Sequence, residues 1–209
     1  MIHIITSSIR VDNLEFISKT IPDECNWIVK IDSKSTSIPR LENATILYNG
    51  LTNGLWGHEG RNQVLDTFKF GDNDWIHFLD DDNIVHPNWY KEVKPLIESK
   101  INCSIITWAQ EYNNGEEIYE RLPANTKPSL NDIDLSCFIV RASSEVRFCP
   151  DVNADTIYAS KHTSRVVTIN QRLCYYNYLS KRKHPREKDK DPLADYNWDS
   201  KIDFSSEAL

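Results

Sequence analysis

Short apolar runs separated by polar turns dominate the first half of the chain. Residues 2–6 form one such run, closed by Ser7 and Ser8, and read as a buried first strand. Residues 11–21 place Leu14, Ile17 and Ile21 at helical spacing, with Pro22 as the stop. Residues 27–31 predict a second strand that ends in Asp32, and residues 44–48 a third. Residues 61–70 put Val64, Leu65 and Phe68 on one helical face. Residues 75–79 form an apolar strand that runs straight into Asp80, Asp81, Asp82 and Asn83. Pro87 suits the first turn of a helix whose apolar face is Trp89, Val93 and Ile97. Further strands are expected at 103–108, 137–140 and 166–169, and Tyr175, Tyr176 and Tyr178 close the aromatic-rich part. Strand–helix alternation in the first half argues for an α/β protein with a parallel sheet. The strand-rich second half argues for a mixed sheet with a smaller added lobe.

Composition narrows the class. A chain of 209 residues is long enough for one sizeable core, and its 40% apolar content excludes a disordered chain. The expected organisation is one domain over residues 1–180, in two parts (1–110 and 111–180), followed by a charged tail or linker at 181–209. That tail, basic and then acidic, is also compatible with further domains in a longer chain. No stretch approaches the roughly 18 apolar residues of a membrane span, and the N-terminus lacks the pattern of a secretory signal. A net charge of -7 disfavours nucleic acid as a partner. Five widely spaced cysteines form no CxxC pair, so neither a disulfide framework nor a zinc site is expected, and a reducing, cytoplasmic setting follows. The sequons at Asn43 and Asn102 carry little meaning in that setting.

Candidate chemistry concentrates in two places. Three adjacent carboxylates after a buried strand repel one another unless a cation balances them, and their oxygens suit Mg²⁺ or Mn²⁺. They also sit where open α/β sheets bind ligands, beyond the carboxyl ends of strands. An EF-hand is excluded, because the sixth loop position counted from Asp80 is Val85 and not glycine. The second place is the glycine window. Five of the six glycines, Gly50, Gly54, Gly57, Gly60 and Gly71, cluster just before and after Arg61 and Asn62. The pattern is neither GxGxxG nor a P-loop. A helix start beside an arginine fork is nonetheless a natural diphosphate clamp.

These motifs resemble a family. Gly60-Arg61-Asn62, the strand 75–79 and Asp80-Asp81-Asp82-Asn83 are similar to the nucleotide-sugar half of GT-A-fold glycosyltransferases, both the β-glucuronyltransferase pattern and the large inverting family 2 group. The similarity covers residues 1–110 well and the remainder loosely. It implies a GT-A-type, Rossmann-like mixed sheet flanked by helices. It also implies a UDP-sugar donor, a glycan or glycoprotein acceptor, transfer of a hexose or deoxyhexose with inversion, and Mn²⁺ or Mg²⁺ as cofactor. As a whole the chain looks like the glycosyltransferase domain that opens a larger viral enzyme, which would place it in host cytoplasm.

Residue by residue, the resemblance assigns Thr6, Ser7, Asp32, Arg61 and Asp81 to the nucleotide, and Asp80 and Asp82 to the metal. An inverting transfer also needs a general base. The family's Glu-Asp pair is absent, and Ala154-Asp155 stands in its place. Asp155 is therefore the first candidate and Asp151 the second, with an exposed loop carboxylate or helix cap as the alternative for either. Trp56 and Trp108 are candidates for stacking on a sugar, against plain core packing. His184 is a candidate late contact to metal or diphosphate, and His77 reads as structural. Two other functions remain open. A sugar-nucleotide pyrophosphorylase would carry a glycine-rich basic loop after the first strand, which Thr6 to Arg10 lacks. A non-catalytic sugar-binding module would have no use for the triple aspartate.

Overall fold

The computed structural model describes residues 1–32, 39–48, 57–99, 102–113, 118–124, 133–143, 145–162 and 165–179. Trp56, His184 and the charged segment 181–209 lie outside these residues. In chain order the elements are β1 (Ile2–Ser8), α1 (Leu14–Ser18), β2 (Asn26–Ile31), β3 (Ala44–Leu47), α2 (His58–Thr67), β4 (Trp75–Phe78) and β5 (Ile84–Val85). They continue with α3 (Trp89–Glu98), β6 (Ile105–Asn113), β7 (Ile118–Leu122), β8 (Phe138–Arg141), α4 (Ala154–Ser160) and β9 (Val166–Tyr176).

Among the described residues the strands form one mixed sheet in the order β3-β2-β1-β4-β8-β6-β9-β5, with β7 paired to β6. The run β3-β2-β1-β4 is parallel, with α1 between β1 and β2 and α2 between β3 and β4. The Rossmann-like expectation stops there. Next to β4 comes β8, antiparallel to both β4 and β6. The chain enters β8 from a 3₁₀ turn, Leu135–Cys137, at the carboxyl end of β4, and can only run back down the sheet. Beyond it, β6 and β9 pair in parallel with register shifts at Trp108, Ala109 and Gln110. Such irregularities bend a strand, and this end of the sheet curls toward a half-barrel.

Each central strand is apolar on both faces because helices cover both. On one face Ile4, Trp27 and Val29 pack with Leu14 and Ile17 of α1 and Trp89 and Val93 of α3. On the other, Ile5, Ile28 and Phe78 pack with Val64 and Leu65 of α2 and Tyr158 and Ala159 of α4. Alternating side chains of one strand thus enter separate cores. All five cysteines are free thiols, and no helix among the described residues is long and apolar enough to cross a membrane.

Several elements differ from the sequence pattern. The helix expected at 11–21 shrinks to a 3₁₀ turn, Val11–Asn13, and the short α1. The strand expected at 166–169 continues to Tyr176, through a polar stretch that apolar periodicity cannot register. Strands β5 and β7 carried no signal: one has two residues, and the other is largely exposed.

Trp108 takes the core-packing alternative. It is 1% exposed, its ring packs against His77 and Trp89 with centroids 5.3 and 5.9 Å away, and its Nε1 donates to Ser136 O at 2.8 Å. A ring so enclosed offers no face to a sugar. His77 is buried in the same cluster, with Nδ1 2.8 Å from Phe138 O. Trp108→Ala should cost roughly 3–5 kcal/mol of stability, read by urea denaturation; an unchanged midpoint would remove the ring from the core.

Candidate active site

The carboxyl ends of β1, β2 and β4 converge on one cleft of about 310 Å³, lined by Ser7, Arg10, Asp32, Gly57, Arg61, Asp80, Asp81, Asp82, Asp134 and Tyr176, among others. A second cleft of about 410 Å³ opens beside it, between β7 and α4, and includes His58, Arg121, Leu122, Asn153, Asp155 and Thr156. The two share Arg61, Asp80, Asp134 and Tyr176 as a common wall.

The first cleft exists because α2 lies close against β1. Gly57 precedes α2 with φ of +75°, a left-handed conformation that suits glycine, and it offers no side-chain cap to the first helical N–H groups. A Cβ at Gly60 would stand 2.3 Å from Ser7 Oγ and 3.3 Å from Ser7 Cβ, so a larger residue there would force the Ser7 hydroxyl out of its place. Ser7 Oγ is itself buried and has no hydrogen-bond partner among the described residues. The scarce glycines are thus used, at these two positions, to bring a helix N-terminus over a buried hydroxyl.

Arg61 follows in the first turn of α2 and is only 2% exposed. Its Nη2 pairs with Asp80, its Nη1 donates to His58 Nδ1 at 3.2 Å, and its guanidinium lies 5.8 Å from the Phe148 ring centre. These contacts pin it in place. Burial pushes the Asp80 carboxyl up; Arg61 opposes that, and Asp134, Asp155 and Asp82 add to it. Asp82 is pushed up in the same way by burial, opposed by Arg10 and reinforced by Asp81 and Asp134.

Asp81 holds the backbone. Its Oδ2 accepts from the N–H groups of Ile9 and Arg10 at 2.8 and 2.7 Å and from Ser8 Oγ at 3.3 Å, while Oδ1 pairs with Arg10. It therefore ties the turn after β1 to the end of β4. Asn83 does the same toward the far half of the sheet: its Nδ2 donates to Ser136 Oγ and its Oδ1 accepts from Asn177 N–H, both at 2.7 Å.

The second cleft is organised by Asp134, which caps the 3₁₀ turn through Ser136 N–H and also accepts from Gln110 Nε2 at 3.1 Å and Arg121 Nη1 at 3.0 Å. The Arg121 guanidinium stacks 3.6 Å from the Tyr176 ring centre. Asp155, on the first turn of α4, faces this cleft with a buried Oδ1 that has no hydrogen-bond partner among the described residues. Burial raises its carboxyl to about 7, with Arg61 opposing and Asp134 adding to the shift.

Of the residues singled out in the sequence, Ser7, Asp32, Arg61, Asp80, Asp81 and Asp82 line the first cleft and Asp155 the second. Thr6 lies inside the sheet, where its Oγ1 accepts from Trp27 Nε1 at 3.1 Å, and it lines neither cleft. Asp151 is exposed, and its Oδ1 accepts from Asn153 N–H at 2.7 Å, shaping the turn before α4. Arg10, His58, Arg121, Asp134 and Tyr176 escaped sequence reading. His58 lies within the glycine window and Tyr176 within the tyrosine run, but nothing local marks any of the five as a site residue, and only the convergence of distant segments brings them together.

This mixed-sheet α/β architecture, with two joined clefts at one end of its strands, has counterparts of known structure. No protein-family model and no curated protein matches the chain. A crystal structure of S. aureus TarS 1-349 is similar in fold, with a TM-score of 0.60 at 14% identity, over 83% of this chain and 59% of that one. A further S. aureus TarS crystal structure gives 0.59 at 14% identity, over 83% of this chain and 36% of that one. The chain thus spans less than two thirds of the TarS chains it resembles, and what is shared at this identity is the fold.

The raised Asp155 carboxyl has a consequence for stability. Its ordinary value is 3.8 and its folded value about 7, so its stabilising contribution is complete below about pH 4 and is lost as pH rises through 7. Asp155→Asn should abolish that loss. The gain in Tm of the variant over the parent should be small at pH 4 and larger at pH 8, by differential scanning fluorimetry. A gain that does not change with pH would show that Asp155 titrates normally.

Proposed function

We propose that this chain is a glycosyltransferase of GT-A type, using a UDP-sugar donor with Mn²⁺ or Mg²⁺ and transferring a hexose or deoxyhexose to a glycan or glycoprotein hydroxyl with inversion. The observation that carries the reading is the pair of clefts sharing Arg61 and Asp80: one suited to an anionic nucleotide, the other to an acceptor beside a carboxylate. The fold shared with the S. aureus TarS structures is compatible with this reading. Residues 1–180 would then be the catalytic domain, in a cytoplasmic setting.

In this reading Asp32, at the end of β2, accepts from the uracil edge. Ser7 and the N-terminus of α2 face the diphosphate, where uncapped N–H groups favour negative charge. Asp80 and Asp82 would hold the divalent cation. They fit it: both are hard oxygen donors, and burial beside like charges leaves them short of positive balance. Among the described residues no group of three or more side chains forms a ready-made cage. When bound, the cation supplies charge neutralisation for the departing diphosphate. Asp155 takes the proton of the acceptor hydroxyl at Oδ1, the oxygen that has no hydrogen-bond partner among the described residues. Arg61 keeps Asp80 oriented at the boundary between donor and acceptor. A sugar-nucleotide pyrophosphorylase would need a phosphate nucleophile rather than a carboxylate base in the second cleft.

The primary experiment is release of UDP from a panel of UDP-sugars with Mn²⁺ present. No release with any donor, together with no binding of UDP by calorimetry, would overturn the reading. Asp82→Ala should remove most metal-dependent UDP affinity; equal UDP affinity in Mn²⁺ and in excess chelator would exclude a metal role. Asp155→Asn should leave UDP binding nearly intact while transfer falls by about 10²–10⁴-fold. Because a base must be unprotonated, kcat/KM of the parent should rise with pH through about 7.

A further inference from the structure

The balance of charge at the end of β4 is unequal. Asp80 has Arg61, which is 2% exposed and wedged between His58 and Phe148. Asp81 accepts from two backbone N–H groups and a serine hydroxyl in addition to its arginine. Asp82 is different. Among the described residues its one ion-pair partner is Arg10, whose Nη1 lies 3.2 Å from Oδ2 while also pairing with Asp81. Arg10 is also the exposed arginine of the cleft: its side chain is 43% exposed, against 2% for Arg61, and it follows Ile9, 58% exposed, on the turn after β1. Its backbone stays anchored by Asp81 whatever the guanidinium does.

From this geometry we infer that Arg10 is an exchangeable counter-cation. It occupies Asp82 in the ligand-free cleft, leaves that carboxylate when a divalent cation binds, and then turns its guanidinium onto the donor diphosphate. The inference rests on the reading of Asp82 as the cation's ligand. Charge is conserved in the exchange. Asp82 trades one positive partner for another, and the displaced guanidinium regains an anionic partner only if a diphosphate is present. Cation alone must therefore compete with Arg10, whereas cation and nucleotide together do not. The consequence is coupled binding: the site holds metal poorly without donor and well with it. Asp81 loses one of four donors in the exchange, so the turn after β1 keeps its place. Arg61, buried and held on three sides, cannot serve this role, which leaves Arg10 as the arginine of the cleft able to change partners.

The test uses Mn²⁺ alone and UDP with Mn²⁺ on the full chain, measured by calorimetry and by the EPR signal of free Mn²⁺. Arg10→Gln should bind Mn²⁺ alone more tightly, by roughly two- to fivefold, the factor a partly exposed ion pair carries. The same variant should bind UDP with Mn²⁺ about tenfold or more weakly, the loss expected for a charge-assisted hydrogen bond. Opposite signs for the two ligands are the signature of exchange. Arg10→Lys keeps the charge without the fork, so it should bind Mn²⁺ alone like the parent and UDP with Mn²⁺ between parent and Gln variant. If Arg10→Gln binds Mn²⁺ alone no better than the parent, the exchange is overturned while metal-dependent UDP binding by the parent stands. If the parent binds UDP equally with and without metal, the exchange and the metal role of Asp82 both fall. A Tm for Arg10→Gln within a few degrees of the parent confirms that the comparison is between folded proteins; if it does not fold, the Lys variant's pattern decides, and parent-like affinity for both ligands overturns the proposal.

Discussion

Four aspartates meet where β4 ends, and the site depends on how their charge is balanced. Asp80, Asp81 and Asp82 are consecutive, and Asp134 joins them from the turn before β8. Carboxylates so close and so enclosed are tolerated only with compensating positive charge or strong donors. The fold supplies both. Arg61 comes from α2, Arg10 from the turn after β1 and Arg121 from β7, and backbone N–H groups of Ile9 and Arg10 complete the shell of Asp81. Nearly every element that reaches this end of the sheet contributes a group to that balance.

The arrangement explains why α2 sits so near β1. An arginine held over Asp80 must come from the first turn of a helix whose N-terminus already lies above Ser7, and that approach leaves no room for side chains at Gly60. The irregular pairing of β6 with β9 has a matching role on the other side. By bending the sheet it carries Tyr176 and Arg121 around to the wall that Asp80 and Arg61 form from within. The outcome is two clefts with one shared charged partition, formed by Arg61, Asp80, Asp134 and Tyr176.

The acidic partition also separates tasks by environment. Asp81 is saturated with donors and serves as a structural tie. Asp80 and Asp82 are pushed up by burial and by neighbouring carboxylates, against the opposing charge of Arg61 and Arg10 respectively. Asp155, across the partition, keeps an unpartnered buried oxygen and a raised carboxyl. Chemically identical side chains thus acquire distinct properties from the neighbours that each element presents to them.

Much of this was legible in the chain itself. Runs of apolar residues bounded by polar turns located most of the strands and the helices α2 and α3, because a strand buried on both faces leaves a continuous apolar signature that needs no partner to be seen. The triple aspartate stood out in the sequence because adjacent carboxylates after a buried strand are costly unless balanced, and Arg61 because it lies beside the scarce glycines at a helix start; both line the first cleft. What the tertiary structure alone decided is which distant residues share that site. Arg10, Asp134, Arg121 and Tyr176 are single residues whose chemistry is ordinary until β1, β7, β9 and the turn before β8 converge. Trp108, equally suited by type to a sugar or a core, was settled by packing against Trp89 and His77. Local pattern records which residues must be buried; long-range pairing, which joins residues 10, 82, 121 and 134, leaves no periodic trace along the chain.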